Sequence, residues 1–253
     1  MTMPGLPPYY TRLDPFRPLF ASGTPILTFH KLGPRPPRVK RKGLYLPETL
    51  FERQLAELRR DGYLPGTLDA MPPASAFGPP TIVLTFDDGC VNTLQHGLLP
   101  MERHGFRAIQ FLVAGLIGAS NAWDEADGEA REPLMDADQI REWLDAGHAI
   151  GSHSMSHPDL TQLAPVLARE EIASSKKRLE DLFAVPVDHF CYPYGAWSPA
   201  VRDLVEEAGY RTACTTEFGV NTPRTPALAL LRITARYRST SLKSLFRRTH
   251  RPV

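Results

Sequence analysis

Two hydrophobic periods alternate along the chain. Thr81 to Phe86 (TIVLTF) is an unbroken β-branched and apolar run, as expected of a strand buried on both faces. Shorter runs of the same kind predict strands over Pro25 to Leu32, Ala108 to Ala114, His148 to Ser152, His189 to Tyr192, Tyr210 to Thr215 and Leu228 to Thr234. Between them the period lengthens to that of a helix. Phe51, Leu55 and Leu58 recur at i, i+4 and i+7, with charged residues between them and Gly62 near the stop. Further helices are predicted over Asn92 to His104, Asp136 to Ala146, Pro165 to Phe183 and Pro199 to Ala208. In the long third of these, Leu167, Ile172, Leu179 and Leu182 are the expected inward positions.

Strand–helix alternation of this kind predicts an α/β fold with parallel strands covered by helices. With β-α repeated about six or seven times, the simplest closure is a single barrel-like domain; an open doubly wound sheet is the alternative. The expected division is a proline-rich arm over 1–23, a single α/β domain over 24–238 and a basic tail over 239–253. The arm reads as a segment lying over the domain or a loose lead-in. Residues 33–43 (GPRPPRVKRKG), with three prolines and five basic side chains, read as a solvated loop, and 72–80 as a linker.

Composition narrows the classes further. The chain has 253 residues, with 29 basic and 28 acidic side chains for a net charge of +1, so no whole-surface attraction for nucleic acid is expected. No segment approaches the roughly 20 apolar residues of a membrane span. The first residues lack a basic segment followed by an apolar one, so no signal peptide is expected. The expected location is cytoplasmic or membrane-peripheral unless a leader has been removed. Cys90, Cys191 and Cys214 form no Cys-x-x-Cys pair and read as buried thiols. Charge is uneven: residues 124–138 hold seven acids and one arginine, while residues 232–253 hold seven basic residues and no acid. The acidic stretch is expected to border the site. The basic one reads either as an amphipathic tail touching anionic lipid or as a solvated terminal helix. No glycine-rich phosphate loop follows any strand.

In parallel α/β folds chemistry gathers at the carboxyl ends of strands. Here the predicted strands run into His30, into Asp87-Asp88-Gly89, into His153 and His157, and into Pro193-Tyr194-Gly195. Adjacent carboxylates repel, and a divalent cation relieves that cost. One carboxylate with two imidazoles makes a three-ligand face with open positions, the pattern of a catalytic metal site. Pro158 puts the histidine pair on a loop rather than within a helix. Histidines 96, 104, 148, 189 and 250 have no partner pattern and read as structural or surface residues.

With LTFDDG (84–89), SHSMSH (152–157) and YPYG (192–195) in this order, the sequence resembles the polysaccharide deacetylase family, also called the NodB-homology domain or carbohydrate esterase family four, over roughly residues 25–235. The PILTFH strand, YPYG and LLRI (230–233) resemble most the branch of poly-β-1,6-N-acetylglucosamine deacetylases. The resemblance implies an α/β fold of one domain, a distorted (β/α)7-type barrel of about seven parallel strands, and a hydrolase acting on an N-acetylated glycan. It implies Asp87 as general base, Asp88, His153 and His157 as ligands of a divalent metal, usually zinc, and the Tyr194 amide as an oxyanion donor. Two features depart from the family. Its third-motif arginine is replaced by Phe190-Cys191, and Leu231-Arg232-Ile233 stands in place of Leu-x-His. In the resembling branch a histidine in the place of His30 takes the acid role. Arg232 reads either as a residue that tunes Asp87 or as a surface or ion-pair residue. A non-catalytic carbohydrate-binding relative, and an amidase acting on a small or cyclic amide, are the competing functions.

Overall fold

The computed structural model describes residues 6–71 and 79–236. Seven parallel strands form the centre: β1 (Ile26–Phe29), β2 (Thr81–Phe86), β3 (Ala108–Leu112), β4 (Ala149–Ser152), β5 (His189–Cys191), β6 (Thr212–Phe218) and β7 (Leu230–Thr234). Each pairs with its neighbours in chain order. β1 closes the ring, with Leu27 opposite both Leu84 of β2 and Ile233 of β7. The sheet is therefore a closed barrel, and the open alternative is excluded. A two-residue strand, Leu64–Pro65, pairs with the start of β2.

Helices α1 (Glu48–Arg60), α2 (Val91–His104), α3 (Ala137–Asp145), α4 (Pro165–Phe183) and α5 (Pro199–Glu207) follow β1 to β5; no helix separates β6 from β7. In α4 the buried face is Ala168, Ile172, Ser175, Leu179 and Phe183, whereas Leu167 and Leu182 are exposed. The expected inward set is corrected by one position at each end. The small residues Ala168 and Ser175 lie on the packed side because the helix sits close against β4, where Ser175 Oγ meets Ser152 Oγ at 2.7 Å.

Two-residue alternation sorts each strand into an outer and an inner row. Ile82, Leu84 and Phe86 of β2 join the large apolar layer under the helices, while Val83 joins an inner cluster with Ile26, Ile109, Phe111, Cys191, Cys214 and Leu230. These residues plug the lower barrel. One layer higher, Thr28 and Thr85 pair across β1 and β2, and Thr85 Oγ1 donates to the Leu27 carbonyl. The next inward positions on β1, β2 and β7 are His30, Asp87 and Arg232. All three cysteines are free and buried.

The described part of the N-terminal arm is core. Tyr10, Leu13, Phe16 and Phe20 are buried, and Tyr10 pairs alongside Ala235 at the end of β7. Each such side chain contributes roughly 1.5–3 kcal/mol on burial. The Leu13 amide donates to Glu57 of α1, and Arg17 pairs with Asp61. Loop 33–43 is irregular as expected, yet not wholly solvated, since Val39 is buried. The basic tail 239–253 and His250 lie outside the described residues, as does most of the 72–80 linker.

His148 and His189 are structural. His148 stacks on Trp143 with ring centroids 4.3 Å apart, and its Nδ1 accepts from the Ala108 amide at 3.1 Å. Burial, with Arg107 nearby, lowers its pKa to about 4. The unfolded chain binds this proton near pH 6.5 and the folded chain only near 4, so stability falls as pH drops through that window, by up to about 3 kcal/mol. Urea unfolding between pH 7 and pH 4 should therefore show a steeper loss for the wild type than for His148→Gln. Equal losses would contradict this origin.

Candidate active site

The inner row and the loops above it converge on one cavity of about 400 Å³ at the carboxyl end of the barrel. All six residues singled out in the sequence line it: His30, Asp87, Asp88, His153, His157 and Tyr194.

Asp87 is held by Arg232. Nη1 and Nη2 donate to its two carboxylate oxygens, both at 2.8 Å. The remaining donors of the guanidinium reach the Thr215 carbonyl at 2.7 Å, Thr85 Oγ1 at 3.1 Å and Cys191 Sγ at 3.1 Å. All five N–H groups of Arg232 are thus used, a geometry lysine cannot reproduce. Both partners are buried, with side chains 3% and 1% exposed. Burial alone would raise the Asp87 pKa, but the charge and hydrogen bonds of Arg232 outweigh it and hold the carboxyl below the usual range. Of the two readings of Arg232, the structure selects the residue that tunes Asp87. His30 Nε2 lies 3.8 Å from Asp87 Oδ2. Burial lowers the His30 pKa, against the pull of Asp87 and Asp88, so its ring is neutral at rest.

Asp88, His153 and His157 face one another from two loops. Each imidazole Nε2 is 3.7 Å from Asp88 Oδ1, and the ligand atoms of the three lie within 4.8 Å of one another. His153 Nδ1 is 2.7 Å from the Cys191 carbonyl, which can only accept, so Nδ1 carries the proton and Nε2 presents its lone pair to the site. His157 is fixed differently. Its Nδ1 has no hydrogen-bond partner. Its ring is clamped between Trp123, stacked at 4.5 Å, and the edge of Tyr194 at 4.6 Å. Burial and the neighbouring His153 lower its pKa to about 3, leaving it neutral. One carboxylate and two imidazole nitrogens are the donor set a divalent cation needs. A second grouping, Asp87, His153 and Cys191, does not fit an ion. Arg232 already occupies Asp87 and the sulfur, and burial pushes the thiol pKa well up.

The local backbone is unusual where the ligands sit. Among the described residues, four of the six non-glycine residues with positive φ are Asp88, Ser154, His157 and Tyr194. Left-handed backbone at such residues costs of order 1–3 kcal/mol each and persists only where surroundings impose it. At Gly195 an added Cβ would fall 2.1 Å from Thr216 Oγ1, so glycine is required. The histidine loop is pinned by Glu171 of α4, which accepts from the Met155 and Ser156 amides and the Ser156 hydroxyl at 2.9, 3.0 and 2.6 Å.

The acidic stretch does border the cavity, through Asp124, with Trp123 just before it also in the lining. Asp124 is buried and accepts from Arg41 Nη1 at 3.0 Å, with Lys31 Nζ 3.8 Å away. The Arg41 amide donates to Glu129 at 2.7 Å. The acidic stretch and the basic loop thus neutralise each other at the rim. Neither Trp123 nor Glu171 was marked by any pattern in the sequence.

The fold and site define a parallel α/β barrel with a carboxylate–imidazole centre at its strand ends. The chain belongs to the polysaccharide deacetylase family, whose sequence profile matches residues 74–213. Among curated relatives it is similar to YxkH of Bacillus subtilis, with 26% identity over 77% of this chain and 65% of the relative. It is also similar to a chitooligosaccharide deacetylase of Azorhizobium caulinodans, with 41% identity over 52% of this chain and 56% of the relative. The chain thus spans less than two thirds of either protein. Among solved structures, the fold matches the Streptococcus pyogenes deacetylase PplD with a TM-score of 0.73 at 20% identity, over 90% of this chain and 99% of that one.

Removing the Glu171 carboxylate leaves the part-buried Met155 amide without its acceptor and gives the exposed Ser156 donors over to water. Glu171→Ala is expected to cost about 1–3 kcal/mol in urea unfolding, and Glu171→Gln, which keeps one acceptor oxygen, to cost less. Equal costs would argue against the pinning role.

Proposed function

We propose that this chain is a metal-dependent carbohydrate N-deacetylase, removing N-acetyl groups from an N-acetylhexosamine-containing polysaccharide or its precursor. The observation that carries this reading is the facing set Asp88, His153 and His157 beside an ion-paired Asp87 and within one cavity with His30. Family membership and the similarity to a chitooligosaccharide deacetylase support the substrate class. The likeness of the early strand, YPYG and LLRI to poly-β-1,6-N-acetylglucosamine deacetylases favours that branch.

Asp88, His153 and His157 would hold the metal, and a carboxylate with two imidazoles suits zinc. A divalent metal held there supplies Lewis acidity, which makes water a nucleophile at neutral pH and polarises the acetyl carbonyl. Asp87 accepts the proton of the attacking water as the oxygen bonds to the acetyl carbon. Arg232 keeps Asp87 ionised before attack and makes it release that proton readily. His30, 3.8 Å away and neutral at rest, receives the proton and delivers it to the sugar nitrogen. The carbon–nitrogen bond then breaks to give acetate and a free amine. The Tyr194 amide is assigned to the developing oxyanion.

Acetate release from N-acetylglucosamine oligomers should be abolished by a chelator and restored by metal. Asp88→Asn and His153→Ala should lose bound metal by elemental analysis, with activity down at least about 100-fold. Full metal content in both would sink the ligand assignment. His30→Ala should slow turnover by about 10²–10⁴-fold with metal retained; loss of metal would make His30 a ligand instead. Turnover of small amides but not sugars would favour the amidase reading. Sugar binding without turnover of either would favour a non-catalytic relative.

A further inference from the structure

Three arginines line the cavity. Arg232 is neutralised by Asp87 and Arg41 by Asp124. Arg236 has no carboxylate within ion-pair distance among the described residues, and its Nε is buried without a hydrogen-bond partner. A buried donor left without an acceptor costs about 1–3 kcal/mol, so its retention calls for an explanation.

The surroundings hold this guanidinium in place. It lies over the Tyr9 ring, 4.2 Å from the centroid. Its stem packs against Gly43, where a Cβ would come 2.8 Å from Cδ. Its amide donates to the Tyr10 carbonyl at 3.1 Å. Two other chain segments, the N-terminal arm and the loop at Gly43, therefore converge to seat one cation at the cavity wall. A guanidinium stacked on an aromatic face keeps its in-plane donors available, and those donors match a carboxylate or phosphate.

We propose that Arg236, seated on Tyr9, forms an anion subsite that binds a carboxylate or phosphate carried by the glycan next to the acetylated sugar. The preferred substrate is then an anionic N-acetylated glycan rather than a neutral oligomer. This rests on the deacetylase reading above, and deepens it by naming the substrate class.

The test uses the full, metal-loaded chain and three matched N-acetylglucosamine oligomers: one neutral, one with a neighbouring uronic acid, one with a phosphate monoester. The wild type should show a KM at least about tenfold lower for a charged oligomer than for the neutral one. Whichever charged arm gains more identifies the anion. Arg236→Gln should raise KM for the charged oligomers and bring the ratio towards one. Arg236→Lys should restore only part of it. Titration calorimetry of the same oligomers against metal-free protein reads the subsite without turnover and should give the same order. Equal affinities for charged and neutral oligomers in the wild type would overturn the subsite, as would an equal KM rise for both kinds in Arg236→Gln. Absence of acetate release with the charged preference intact in calorimetry would instead overturn the deacetylase reading and leave the subsite standing.

Discussion

The buried pair between Asp87 and Arg232 is the constraint around which the top of the barrel is organised. Asp87 occupies the inward position after Val83 and Thr85, where the apolar plug ends and the carboxylate is itself almost fully buried. An unpaired carboxylate there would be several kcal/mol unfavourable. Arg232 meets it from β7 in the same inward row and spends its other donors on β2, β5 and β6. One guanidinium therefore ties together four strands. It also leaves Asp88 as the carboxylate that turns towards the imidazoles.

Around this pair the site uses two different means of holding its histidines. His153 directly follows β4 and is oriented by a hydrogen bond to the Cys191 carbonyl. His157 is on a loop and is oriented by aromatic rings, one of which, Trp123, immediately precedes the acidic stretch. That stretch is anchored in turn by Lys31 and Arg41. Charges that look like separate acidic and basic patches in the sequence are one folded lip. Its rim carries Arg236, a cation that the lip leaves without a counter-charge.

The barrel was legible because each strand and helix repeats its own period, and the alternation leaves little topological choice. Asp87, Asp88, His153 and His157 were legible because their chemistry is contiguous within short motifs at strand ends. Arg232 was half-legible: its register follows from Leu230, but nothing local says which acid faces it. The inward face of α4 was misread at Leu167 and Leu182, because large apolar residues attract the assignment when the true contact is made by Ala168 and Ser175. The arm hid its anchors Tyr10, Leu13, Phe16 and Phe20 among prolines. Trp123, Glu171 and Arg236 act through partners distant in sequence, and such convergence has no local period.

The central claim is that Arg232 stabilises the fold by neutralising a buried Asp87, and this is most directly tested by a double-mutant cycle in chelator. Arg232→Met alone should destabilise the protein by about 3–5 kcal/mol, because it strands a buried charge. Adding Asp87→Asn should recover most of that loss in urea unfolding. A double variant no more stable than Arg232→Met would contradict the account, since the cost would then lie in packing or in the other contacts of Arg232.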